Sequence, residues 1–195
     1  MNWLTGKVLI TGISALLILS CKDKKENKEQ FFPALSFIQS QVAHVDTSIY
    51  TIRKVVFNDS TGTDTIYIPR EQFRKEAADF LSIPDISLSK YAKKYTEVKD
   101  FDPTLNRVMM VYSPVNPANE EIQRQEILIK PDSMEGDKIT SIFIYSVTNS
   151  GDSQVEKKLL WQVDKSFQVT AITSPKNGPE KTSTFKVIWN EEDQQ

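Results

Sequence analysis

The chain is poor in the residues that most enzyme chemistry draws on. Its 195 residues include 1 cysteine and 1 histidine. One cysteine allows no internal disulfide and no cysteine-cluster metal site, and one histidine excludes multi-histidine sites. Beyond residue 20 the only glycines are Gly62, Gly136, Gly151 and Gly178, all far apart. They form neither a phosphate-cradling loop nor a Gly-x-Ser-x-Gly elbow. Excess charge of one sign is missing too: 24 Lys and Arg stand against 26 Asp and Glu, for a net charge of -2. Nucleic-acid binding usually needs a basic surplus, so nucleic acid is not expected as a partner. This inventory nominates no metal, no cofactor and no catalytic residue. Carboxylate-only catalysis, as in glycosidases, is the main enzyme class it leaves open.

Apolar residues make up 39% of the chain, and its length suits one domain with a real core. Residues 1–20 read as an address. Lys7 supplies the positive charge, and Val8 to Leu19 is an apolar run too short to span a bilayer. The run ends in Leu17-Ile18-Leu19-Ser20-Cys21, which resembles the bacterial lipobox. The resemblance implies cleavage before Cys21, a diacylglycerol thioether on its thiol and an acyl chain on the new amine. The alternative is a free cysteine closing a signal anchor. Two or more acyl chains, at roughly 0.8 kcal/mol per buried CH₂, hold a protein on a membrane where one chain is reversible. Residues 21–30 contain no apolar side chain after Cys21 and read as a disordered tether reaching about 30 Å. Lys22 stands where the inner-membrane retention signal has aspartate, so the expected location is the outer membrane, with periplasmic or surface facing open.

Residues 31–190 read as a single α+β domain, and 191–195 as an acidic tail. A first helix is expected over Pro33 to His44, with Phe31, Leu35, Ile38, Val42 and Val45 in one apolar stripe. A second is expected over Arg70 to Leu81, opened by Pro69 and closed by Pro84, and a short third over Ser87 to Tyr95. Strands are expected over Ile49 to Phe57, Thr65 to Ile68, Asn106 to Tyr112, Ile122 to Lys130, Lys138 to Thr148, Val155 to Val163, Phe167 to Thr173 and Thr184 to Trp189. Strands this closely spaced pair antiparallel. The expected fold is a mostly meander sheet of about eight strands, with one face wet and the other covered by two or three N-terminal helices. Leu35, Ile38, Val42, Phe73, Ile127, Ile129, Ile142, Ile144, Trp161 and Val187 are the expected core.

Few residues invite a chemical role. His44 falls about 140° from the centre of the helical stripe, at roughly 100° per residue, on the polar side. Asp59-Ser60-Thr61-Gly62-Thr63-Asp64 faintly resembles a calcium loop but lacks its ligand spacing, and a hairpin turn explains it. Glu120-Glu121 and Glu191-Glu192 are adjacent pairs that make no acid/base dyad. Lys90-Tyr91-Ala92-Lys93-Lys94-Tyr95 suits phosphate headgroups or glycans, or simply a helix face with snorkelling lysines. Trp161 and Trp189 suit a sugar platform or, better, the core. Asp59-Ser60-Thr61, Asp64-Thr65-Ile66 and Asp132-Ser133-Met134 resemble Bacteroidota O-glycosylation motifs, making Ser60, Thr65 and Ser133 candidate acceptors. Composition alone predicts about 0.8 such matches.

Ile68-Pro69-Arg70-Glu71-Gln72-Phe73, Ile83-Pro84-Asp85-Ile86-Ser87, Tyr95-Thr96-Glu97 and Trp161-Gln162-Val163-Asp164-Lys165-Ser166-Phe167-Gln168-Val169 together resemble an uncharacterised lipoprotein family of Bacteroidota. The resemblance implies no activity, cofactor or catalytic residue. The functional expectation is a non-catalytic lipoprotein, anchored in the membrane through Cys21 and binding an envelope protein, a glycan or a lipid. The alternatives are a lipid or lipoprotein carrier with an apolar cleft, for which Met109, Met110 and Phe143 are candidate linings, and, more weakly, a carboxylate-based hydrolase.

Overall fold

The computed structural model describes residues 31–58, 62–132 and 134–190. The signal segment, Cys21, the tether, Ser60, Ser133 and the tail from Glu191 lie outside the described residues.

Helix α1 spans Ala34–Thr47. Pro33 stands just before it and accepts from the Phe37 N–H at 3.0 Å, a position where its own missing N–H costs nothing. Ala34, Ile38, Val42 and Val45 are buried. The stripe is thus one residue off the expected one at its start: Leu35 lies at the margin, half-buried, because the small Ala34 faces the sheet instead. The second helix comes in two pieces, α2 at Arg70–Glu76 and α3 at Ala78–Leu81, broken at Ala77 (φ -82°, ψ 5°). Phe73, Ala77 and Phe80 are all fully buried across the break. The expected third helix shrinks to a single 3₁₀ turn at Ser89–Tyr91.

Nine antiparallel strands form one open sheet. They are β1 Arg53–Asn58, β2 Gly62–Tyr67, β3 Tyr95–Asp102, β4 Arg107–Pro114, β5 Ile122–Lys130, β6 Lys138–Ser150, β7 Ser153–Gln162, β8 Ser166–Pro175 and β9 Lys181–Ile188. The order is β2-β1-β9-β8-β7-β6-β5-β4-β3. The chain makes the β1–β2 hairpin, crosses the sheet through α2 and α3, and starts again at the far edge. It then meanders back until β9 lies beside β1. The α+β fold expected from the sequence is therefore present, with one strand more. The extra strand is β3, in which Tyr95 alone is buried and Glu97, Lys99, Asp100 and Asp102 supply charge. A charged edge strand has no apolar alternation to reveal it.

The helices cover one face. Ile127, Ile142, Ile144, Leu159, Trp161, Phe167 and Val187 line it, all fully buried. Ile129 belongs to the same side but is only partly covered, short of its expected burial. Phe73 packs edge-on against Trp189 at 5.2 Å, and Phe80 against Trp161 at 5.2 Å. Trp161 stacks on Phe167 at 5.3 Å and 14°. Such aromatic pairs contribute about 0.5–1.5 kcal/mol each beyond area burial. The break at Ala77 leaves Phe73 and Phe80 both seated on this cluster.

Candidate functional site

Pairing register decides what the uncovered face carries. Val98 pairs with Val111, Val111 with Glu126, Glu126 with Phe143, and Phe143 with Leu160. The next row runs Asp100, Met109, Leu128, Ser141. Side chains directly opposite across antiparallel strands share a face. Val98, Met109, Val111, Leu128, Phe143 and Leu160 therefore form one apolar band across β3 to β7, on the side away from the helices. Val98 is 59% exposed, and the others partly shield one another. The face expected to be wet is apolar in this region.

Charges of both signs stand around the band, and Glu126, paired with Arg124, sits within it between Val111 and Phe143. Asp100, Glu126 and Glu156 stand with Arg124 and Lys158 on the same face. The Tyr145 hydroxyl donates to Glu156 at 2.8 Å, and that bond raises its pKa. Beside Tyr145 an open groove of about 580 Å³ runs along Pro117, Glu121, Gln123 and Val147. The arrangement offers contact area, a hydroxyl and fixed charges. It can bind a complementary surface.

The residues singled out in the sequence scatter over the fold. Thr65 sits exposed on β2, the edge farthest from the band. His44 is exposed near the end of α1, its ring edge-on to Tyr50 at 6.3 Å. Trp161 and Trp189 are in the core, so neither can stack a sugar. Lys90 and Lys94 lie over the Tyr91 ring at 4.9 Å and 5.5 Å, and Lys94 also pairs with Glu120 at 2.7 Å. Tyr95 is buried and donates to the Ile122 carbonyl at 3.0 Å; burial, then the Glu120 charge, pushes its hydroxyl well above the ordinary value. The basic-aromatic stretch is thus a packed corner between β3 and the loop before β5. Met109, Met110 and Phe143 do not line one cleft. Met109 and Met110 are neighbours on β4 and point to opposite faces: Met110 packs on the core, while Met109 joins Phe143 on the outer band.

Val98, Val111, Leu128 and Leu160 were not expected to matter. A signal existed in Val108-Met109-Met110-Val111, Ile127-Leu128-Ile129 and Leu159-Leu160-Trp161. A strand with one wet face should alternate, and these unbroken apolar runs do not.

Among the described residues no group of three His, Cys, Asp or Glu is placed to hold a metal ion, and no helix is long and apolar enough to cross a membrane. The chain matches no family model, no curated protein and no solved structure.

Proposed function

We propose that this protein is a non-catalytic lipoprotein of the kind its sequence resembles in Bacteroidota, held at the outer membrane through acylated Cys21 and acting by binding a second envelope protein. The observation that carries the reading is the apolar band of β3 to β7 on the face the helices leave open. Contiguous exposed apolar surface is characteristic of interaction sites. The charges in and around the band, Asp100, Glu126 and Glu156 with Arg124 and Lys158, lack the basic excess that draws a surface onto anionic headgroups. A protein partner suits it better than a lipid surface. The carrier alternative needs room between sheet and helices, and there Phe73, Phe80, Trp161, Phe167 and Trp189 are packed on one another.

A photo-crosslinker placed at Phe143 in the native host tests this, with one at Lys186 on the same face as control. The expected result is a defined protein adduct at position 143 only, lost on Leu160→Glu. Equal labelling at both positions, or lipid as the only adduct, overturns the reading. Glycoside, peptide or ester turnover that disappears on replacing one Asp or Glu would replace it with the hydrolase.

A further inference from the structure

The two edges of the sheet are built differently. β3 carries Glu97, Lys99, Asp100 and Asp102, charges of the sort that keep an edge from pairing. β2 has no lysine, no proline and no register shift against β1. Its one charge, Asp64, accepts from Asn58 Nδ2 at 2.9 Å. All its residues are exposed, and among the described residues nothing stands over the strand on either face.

The outward backbone groups of β2 can be assigned. The Ile68 N–H donates to the Ile52 carbonyl at 3.0 Å, and Arg53 pairs with Tyr67. Hydrogen-bonded pairs alternate along an antiparallel ladder. Asp64 and Ile66 therefore spend their backbone groups on β1, and the N–H and C=O of Thr63, Thr65 and Tyr67 point to the free edge.

We infer that β2 pairs with β2 of a second copy of this chain, antiparallel and centred on Thr65, joining two sheets into one. The register follows from the side chains. Centred on Thr65, the outward groups of Thr63 and Tyr67 meet those of Tyr67 and Thr63 of the second copy, and every outward group is matched. Asp64 then faces Ile66 of the second copy. A shift of the axis onto Asp64 sets the two carboxylates opposite each other. A shift onto Ile66 sets Thr63 against Pro69, which has no N–H to give. Of these three registers the one centred on Thr65 alone avoids both faults, and it is two-fold symmetric, as an isologous interface requires. The pairing also gives lateral neighbours to apolar side chains of β2 now open, with Ile66 50% and Tyr67 71% exposed. It leaves the β3 to β7 band free at both ends of the joined sheet, so it stands independently of the binding reading.

Disulfide trapping in membranes, on the full-length chain, tests the register directly. In the proposed dimer position 65 lies opposite itself, within disulfide reach. Position 63 lies about 13 Å from itself along the strands, out of reach. The expected result under mild oxidant is a band at twice the monomer mass for Thr65→Cys, and for the double variant Thr63→Cys, Tyr67→Cys, but not for Thr63→Cys alone or for the unmodified chain with its native Cys21. Equal trapping of Thr65→Cys and Thr63→Cys, which random collision produces, overturns the pairing, as does no trapping of Thr65→Cys. A Thr65→Cys adduct of any other mass gives this edge to a different chain and also overturns it.

Discussion

Tyr112 shows how one side chain ties the N-terminus of the domain to the sheet. Its ring meets Phe31 edge-on at 5.3 Å. Its hydroxyl accepts from the Phe32 N–H at 3.2 Å and stands 3.2 Å from Glu97 Oε1, to which it donates. Burial, above all, pushes the phenol up to about 12. A phenol raised above its unfolded value of about 10 keeps its proton in the fold while the unfolded chain begins to lose it. Its contribution is complete below the unfolded value and is lost as pH rises toward about 12. Unfolding free energy should therefore fall across this window, with phenolate absorbance rising as the protein unfolds. Tyr112→Phe leaves the Phe32 N–H without its acceptor and should cost about 1 kcal/mol at neutral pH. The same variant should lose stability less steeply above pH ~10 than the parent does. Urea titrations at several pH values check both effects.

Ion pairs and packing hold the helical layer to the sheet, element by element. Lys54 on β1 reaches Glu76 at the end of α2 at 2.6 Å and lies 4.4 Å above the Phe185 ring. Lys157 on β7 reaches Asp79 on α3 at 2.6 Å. The Lys54 pair is the less exposed, at 20% and 18% against 33% and 30%. Less solvent screening and the added ring contact should make Lys54→Ala cost about 1–2 kcal/mol and Lys157→Ala about 0.5 kcal/mol. Chemical denaturation of the two variants tests the order. The larger share comes from the core that α1 makes with the sheet. Ile38 and Ile144 are both fully buried in it. Ile38→Ala and Ile144→Ala should each cost about 2–5 kcal/mol. If both lose less than about 1 kcal/mol, the two elements do not share one core.

At the scale of the whole molecule, the proposed anchor, band and edge leave each other free. The described chain begins at Phe31, against Tyr112 on β4, in the half of the sheet that carries the band but on its helix-covered face. β2 is at the opposite side. With Cys21 acylated as proposed, the nine residues between it and Phe31 would allow the domain no more than about 30 Å from the membrane. Cys21→Ala should abolish labelling by a fatty-acid probe and release the protein from detergent phases; a variant still labelled would overturn the lipoprotein reading. Thr65, a candidate glycan acceptor, is exposed on β2, and the proposed pairing of that edge would shield it, so site-resolved peptide mass spectrometry of native protein should find Thr65 unglycosylated.

Much of the architecture is legible in local pattern. Ile38 and Val42 at helical spacing, and Ile142 and Ile144 at strand spacing, mark buried faces wherever one face meets a core. Pro69 and Pro84 bracket the second helical segment because proline restricts the backbone around it. The lipobox-like end at Ser20-Cys21 is likewise a matter of order along the chain. Tertiary structure alone decided three things. β3 became a strand because β4 offered a ladder to a segment with little apolar pattern of its own. Phe73 on α2, Phe80 on α3, Trp161 on β7 and Trp189 just past β9 came together into one cluster. The band and the bare edge arose from register and strand order: Val98 and Leu160 are distant in sequence but lie on one row of the sheet, and β9 returned to pair with β1, leaving β2 outermost. A residue's own face follows from its immediate neighbours, whereas the residues beside it on that face depend on pairing between segments far apart in the chain.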